Sequence, residues 1–187
     1  MISPVEAILV VPAIAVPALA LVSDYRLGAG INMLASAVSL VAAVFLLFAE
    51  HPRGDLIIVD DFNIFLIVLT SFVGFTTSVF SASYIAHEIE IGRLTPAFLR
   101  FDHAMYQALM GAMSVALLAN NIGLMWVGVE VATLSTVMMV GIYRTREAIE
   151  AAWKYFILGS VGIGLAFFGT ILVYVVAQGR SAKAFRR

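Results

Sequence analysis

Six long stretches of this 187-residue sequence are almost free of charge, and this limits what the chain can fold into more than any other feature. They cover residues 2–22, 27–49, 62–86, 101–119, 122–143 and 151–177. Each is close to the roughly 20 apolar residues that let a helix cross a bilayer core about 30 Å thick. Apolar residues make up 62% of the sequence and charged residues 12%, where a soluble domain carries about 25% charge. Too few polar side chains remain to cover a water-soluble globule. A lipid-exposed backbone must satisfy its own hydrogen bonds, so the pattern predicts an all-α, polytopic transmembrane helix bundle of about six helices.

The first stretch reads as a retained helix rather than a secretory leader, because its only early charge is Glu6 and a leader needs a basic n-region. Pro12 and Pro17 are expected to distort it, each removing a backbone donor. The polar connections lie at 23–26, at 50–55 (with His51 and Arg53), at 87–100, at Asn120-Asn121 and at 144–150. Thr95-Pro96 is expected to break any helix continuing through the third connection. The expected organisation is three leading helices and their loops over 1–100, the fourth to sixth helices over 101–178, and a basic tail over 179–187.

Basic residues mark the cytoplasmic side of a membrane protein. Alternate connections put Arg26, Arg93, Arg100, Arg144 and Arg146 on one side, and only Arg53 on the other. That bias places the N-terminus outside. The tail adds Arg180, Lys183, Arg186 and Arg187 to the poorer side and levels the count, so charge alone leaves the orientation open.

Several functions are excluded or disfavoured. A net charge of −1 gives no footprint for nucleic acid. Without cysteine the chain holds no thiolate-ligated cluster and no Cys-type zinc site. His51, His87 and His103 lie apart, and a proline separates the last two, so neither a metal site nor a haem is expected, nor any other cofactor. Redox chemistry is assigned to another chain. Gly159, Gly162, Gly164 and Gly169 lack both the spacing and the preceding strand of a nucleotide-binding loop. Ser160 and Gly164 form instead a small-xxx-small pair that lets two membrane helices approach closely.

Glu130 is the most informative residue. It stands eight positions inside the fifth stretch, about 12 Å from the membrane edge at 1.5 Å per residue. A carboxylate at that depth costs at least roughly 2.5 kcal/mol on insertion scales. It marks either a structural hydrogen bond to a neighbouring helix or a proton or ion relay. Lys154, near the start of the sixth stretch, either snorkels to the interface beside Trp153 or belongs to the same relay. With the fifth helix ending near Tyr143 and Lys154 one turn deep, no direct salt bridge to Glu130 is expected. A water-bridged relay using Thr133, Ser135 and Thr136 fits these depths.

Asn120-Asn121, Met125-Trp126, Glu130, Thr133-Leu134, Gly141-Ile142-Tyr143 and the run from Glu150 to Tyr155 resemble the antiporter-like subunits of respiratory complex I. Ser83-Tyr84-Ile85, His87-Glu88 and Leu94-Thr95-Pro96 make the sequence most similar to the hydrogenase-4 component F branch. The resemblance is strongest from about residue 60 to 174. It implies part of an antiporter-like inverted-repeat fold in the cell (inner) membrane. It also implies a proton-translocating subunit of a multi-subunit oxidoreductase, partnered by other membrane-arm subunits and by hydrophilic redox subunits. Glu130 then matches the buried glutamate of the fifth helix and Lys154 a lysine early in the sixth. The chain is expected to hold only the N-terminal part of such a fold, without the lysine-bearing seventh helix. Two other functions compete: a non-catalytic membrane scaffold for partner subunits, and a stand-alone cation/proton antiporter.

Overall fold

The structure, a computed structural model, describes residues 3–49, 54, 56–92 and 96–184. Residues 96–99 and 179–184 are described in backbone only. Six helices follow one another: α1 (Pro4–Leu21), α2 (Tyr25–Leu46), α3 (Asp61–Glu90), α4 (Pro96–Leu118), α5 (Ile122–Val140) and α6 (Arg146–Ala184). The only β-type pairing among the described residues is an isolated bridge between Ile57 and Ala119. The chain is therefore the all-α helix bundle expected, and a multi-pass membrane protein. His51, Arg53, Arg93, Thr95, Arg186 and Arg187 lie outside the described residues.

Local chemistry explains where the helices begin. Ser3 and Glu6 form a reciprocal capping box at α1, and Asp60 and Asn63 form one at α3. Asp24 caps α2 and Asn121 caps α5 through their side-chain oxygens. α4 opens on Pro96, whose missing N–H costs nothing in the first turn. α1 stays helical through Pro12 and Pro17. Pro12 is buried where Gly111 of α4 comes close, and a Cβ on Gly111 would stand 3.1 Å from Pro12 Cβ.

Two expectations are refined. Among the described residues, five helices are long and apolar enough to cross a membrane by length and composition: α1, α2, α3, α5 and the 146–178 part of α6. α4 is the exception. It packs against α1, α2, α3 and α5 and turns Asp102, His103, Gln107 and Ser114 inward, where protein rather than lipid surrounds them. A helix sheathed by its neighbours tolerates polar residues that a lipid-facing helix does not. The second refinement concerns boundaries. α3 runs on through His87–Glu90 because Glu88 is buried there, only 4% exposed. α6 begins at Arg146, with Glu147 in its first turn, where a carboxylate complements the helix dipole.

One end of the bundle is closed by an apolar cluster including Val5, Ile8, Leu46, Ile64, Ile67 and Leu118. Above it the α2–α3 connection runs beside the α4–α5 turn, with Ile58 N–H donating to Leu118 O at 2.9 Å and Asn120 N–H to Leu56 O at 2.8 Å. Asn63 also donates to Ile58 O and Leu117 O. At the opposite end, the Tyr143 and Tyr84 hydroxyls lie 3.0 Å apart, and Tyr143 packs on Ile85. This ties the α5–α6 connection to α3. Arg144, next in that connection, takes a left-handed conformation (φ 50°).

Candidate functional site

Glu130 lies close to the middle of α5, about 12 Å from Ile122 and about 15 Å from Val140 by helical rise. Trp126, Glu130, Thr133, Val137 and Gly141 recur three or four residues apart and share one face. That face is turned to α6: the Trp126 and Phe167 rings meet edge-on at 5.4 Å, and a Cβ on Gly159 would stand 3.3 Å from Thr133 Cγ2. These two antiparallel pairings put Glu130 level with Gly162. The carboxylate is half-buried. No hydrogen bond or ion pair joins it to another described residue.

The same pairings put Lys154 level with Met138, eight residues from Glu130 and so about 12 Å away along the axis. The sequence suggests a shallower position for Lys154 than the structure gives it. Because α6 starts at Arg146, Lys154 is two turns in, and it pairs with Glu150 of its own helix at 2.6 Å. Its side chain remains 70% exposed.

The three hydroxyls between these charges do not behave alike. Thr133, Ser135 and Thr136 each donate to the carbonyl four residues earlier, at 3.0, 2.8 and 2.9 Å. Those bonds leave the oxygen lone pairs available as acceptors. Thr133 and Thr136 line a cavity of about 350 Å³ between α3, α4, α5 and α6, with Thr70 on one side and Tyr155 on another. Ser135 is buried away from it. This cavity spans the levels between Lys154 and Glu130, and Thr70 and Tyr155 are its members that sequence reasoning missed. A larger cavity of about 710 Å³, at the Arg144 end of α5 and α6, is apolar apart from that residue and includes neither charge.

Small residues set the helix spacing around the site. A Cβ on Gly128 would stand 2.9 Å from both the Ala112 carbonyl oxygen and the Ala116 nitrogen, so α4 and α5 come together backbone to backbone two residues from Glu130. Gly164 has nothing within 4 Å of where its Cβ would be. Ser160 Oγ is buried with no hydrogen-bond partner among the described residues. Near the α5–α6 connection, burial raises the pKa of the Tyr143 phenol above its ordinary value, reinforced by Tyr84 and the Glu88 carboxylate.

Comparison with known proteins bears on the same segment. A family model described as NADH:quinone oxidoreductase/Mrp antiporter, transmembrane, matches residues 119–183, which hold α5 and almost all of α6. The hydrogenase-4 component F homolog of Methylacidiphilum infernorum is 57% identical over 172 residues, covering 92% of this chain and 36% of that protein. This chain belongs to the antiporter-like membrane-subunit family. NADH-quinone oxidoreductase subunit N 1 of Solibacter usitatus is 29% identical over 146 residues, 77% of this chain and 29% of that protein. Subunit N of Hirschia baltica is 41% identical over a shorter stretch of 63 residues, 33% of this chain and 13% of that protein. The chain thus spans about a third of the length of the first two curated relatives. Within this antiporter-like chain, Glu130, Thr133, Thr136, Lys154 and Tyr155 all fall inside the matched 119–183 segment.

Proposed function

We propose that this chain is part of the membrane arm of a hydrogenase-4- or complex I-like oxidoreductase in the cell (inner) membrane, and that Glu130 holds and releases a transported proton. The observation that carries this reading is a carboxylate in the middle of α5 with no hydrogen-bond or ion-pair partner among the described residues. Its insertion cost of at least roughly 2.5 kcal/mol is repaid by no hydrogen bond among them.

Lys154 acts on Glu130 through the field. Two unit charges about 12 Å apart at an effective dielectric near 20 interact by roughly 1.4 kcal/mol, about one pKa unit. While Glu150 holds the ammonium, much of that field is cancelled; when the pair opens, Glu130 is pulled toward its ionised form. Thr136 and Thr133, lining the cavity with Tyr155, carry the proton between the two levels by way of water. Other membrane-arm subunits cover the Ser160/Gly164 side of α6, and hydrophilic partners hold the redox centres.

The experiment is made on the assembled complex. A tagged chain should isolate together with redox subunits, and Glu130→Ala should abolish redox-driven proton transfer while assembly and helix content survive. Normal proton transfer by that variant would instead favour a scaffold that only holds its partners.

A further inference from the structure

The cavity of about 710 Å³ takes no part in the path between Lys154 and Glu130. It lies between the early turns of α4 and α6 and the second half of α5. Phe101, Leu134, Met138 and Trp153 on its rim are 38% to 58% exposed, so in a bilayer it opens sideways to lipid. Where α5 meets α6 its wall is made of small residues, since a Cβ on Gly141 would stand 3.7 Å from Ala152 Cβ. From Gly141 down to Leu134 is seven residues, about 10 Å by helical rise. One leaflet supplies about 15 Å of hydrocarbon, half of a core about 30 Å thick. The groove therefore runs along most of one leaflet. Trp153 stands near the edge of the sixth apolar stretch, the level at which indoles favour the membrane–water interface.

Arg144 is the one charged residue of this lining, and its backbone is unusual. Among the described residues it alone, glycines aside, has a positive φ. Glycine takes that left-handed conformation freely, whereas a side chain takes it at a cost, and such strain gathers at ligand sites. The sequence keeps an arginine there, and the turn sets it at the mouth of the groove. Its five N–H donors serve a phosphate as well as a neighbour in its own chain, and the guanidinium fork matches phosphate geometry. Arg146 is exposed two residues on, and Arg26 and Arg100 begin α2 and α4 at the same end of the bundle. We propose that this groove binds one anionic phospholipid, with the phosphate on Arg144 and one acyl chain lying between α5 and α6 as far as Leu134.

The headgroup, not the tail, carries the selectivity. An acyl chain that enters the groove passes from one hydrocarbon surrounding to another, because lipid tails are as apolar as leucine. The walls therefore supply shape and discriminate little between lipids. Charge discriminates: an anionic headgroup complements an end of the bundle that carries four arginines among the described residues, and a zwitterionic one offsets its phosphate with its own cation. An apolar helix from another subunit would fill the walls but make no use of Arg144. A phospholipid uses both. Neither Glu130 nor Lys154 lines the groove, so lipid binding is read apart from proton transfer.

The full chain, delipidated in detergent, is titrated with dioleoylphosphatidylglycerol or dioleoylphosphatidylcholine, and bound lipid is counted by native mass spectrometry. The first phosphatidylglycerol should bind about fivefold tighter or more, the worth of one arginine near an anionic lipid surface. Arg144→Gln should abolish that preference, and Arg144→Lys should restore part of it, because an ammonium keeps the charge without the fork. Arg144→Gly should lose it too while folding normally, since glycine suits the left-handed backbone. Leu134→Trp, which fills the deep end, should weaken both lipids alike. In the assembled complex, a benzophenone photo-crosslinker placed at Trp153 should capture phospholipid on illumination. Capture of a polypeptide there would overturn the site. So would equal affinity for the two lipids in the unaltered chain, or a preference that survives in both Arg144→Gln and Arg144→Gly.

Discussion

Lys154 Nζ rests 2.6 Å from Glu150 Oε1, a bond that draws the ammonium toward the start of α6 and away from Glu130, whose level lies about 12 Å along the bundle axis from that of Lys154. Both partners are well exposed, and exposed pairs four residues apart on a helix stabilise by only about 0.3–0.5 kcal/mol. Glu150→Gln should therefore leave the thermal unfolding of the purified chain almost unchanged, and added salt should erase what difference there is. The same variant should alter the pH dependence of proton transfer in the complex, because Lys154 then acts on Glu130 without its counter-charge. A large loss of stability would mean that the pair is structural.

Gly128 is where the α4–α5 contact should be least forgiving. Gly128→Ala would drive a methyl group against the Ala112 carbonyl and the Ala116 nitrogen, and backbone cannot swing aside as a long side chain can. Overpacking of this kind costs about 1–3 kcal/mol. Gly162→Ala, with nothing within 4 Å of the new methyl, should be neutral or slightly stabilising by helix propensity. Paired melting curves in one detergent compare the two.

Much of this fold could be read from the order of residues. Five helices follow from apolar runs of the right length, and the capping residues Asp60 and Asn121 stand where the helices begin. α4 was harder to read. Its apolar residues suggested an ordinary span, while Asp102, His103 and Gln107 show their meaning only once four neighbours are seen around them. The start of α6 was hidden because Arg146, Glu147 and Glu150 look like a loop when counted as charges but suit a helix's first turns. The glutamate at 130 stood out because a lone charge in hydrocarbon is conspicuous. Asn32 and Ser36 did not, since each passes for a minor packing residue until Gln107 of α4 is seen donating to both.

Asn63 joins three segments at once, capping α3 and donating to Ile58 O and Leu117 O at 3.0 and 3.2 Å. Asn63→Ala removes the box and leaves buried carbonyls unpaired. The expected loss is about 2–4 kcal/mol, read as a fall in melting temperature, whereas an unchanged midpoint would show that these bonds are replaced at no cost.

Tyr143 gives a prediction at high pH. Burial, with Tyr84 and Glu88 beside it, raises its phenol pKa above the ordinary value. The unfolded chain therefore ionises this tyrosine first as pH climbs past about 10. The folded state then retains the proton longer, so stability is lost as pH rises above that value. An ultraviolet titration should show one fewer late-ionising tyrosine in Tyr143→Phe than in the wild type, and the alkaline fall in melting temperature should be shallower in that variant. Identical titration curves for the two proteins would contradict the assignment.

The proton-holding role of Glu130 is tested most directly by infrared difference spectroscopy of the assembled complex, at rest and during turnover. A carboxylic-acid carbonyl band should appear or vanish with turnover in the wild type and be missing from Glu130→Gln, which should also have lost proton transfer. Identical carboxylic-acid spectra for the two proteins, with proton transfer intact in Glu130→Gln, would contradict it.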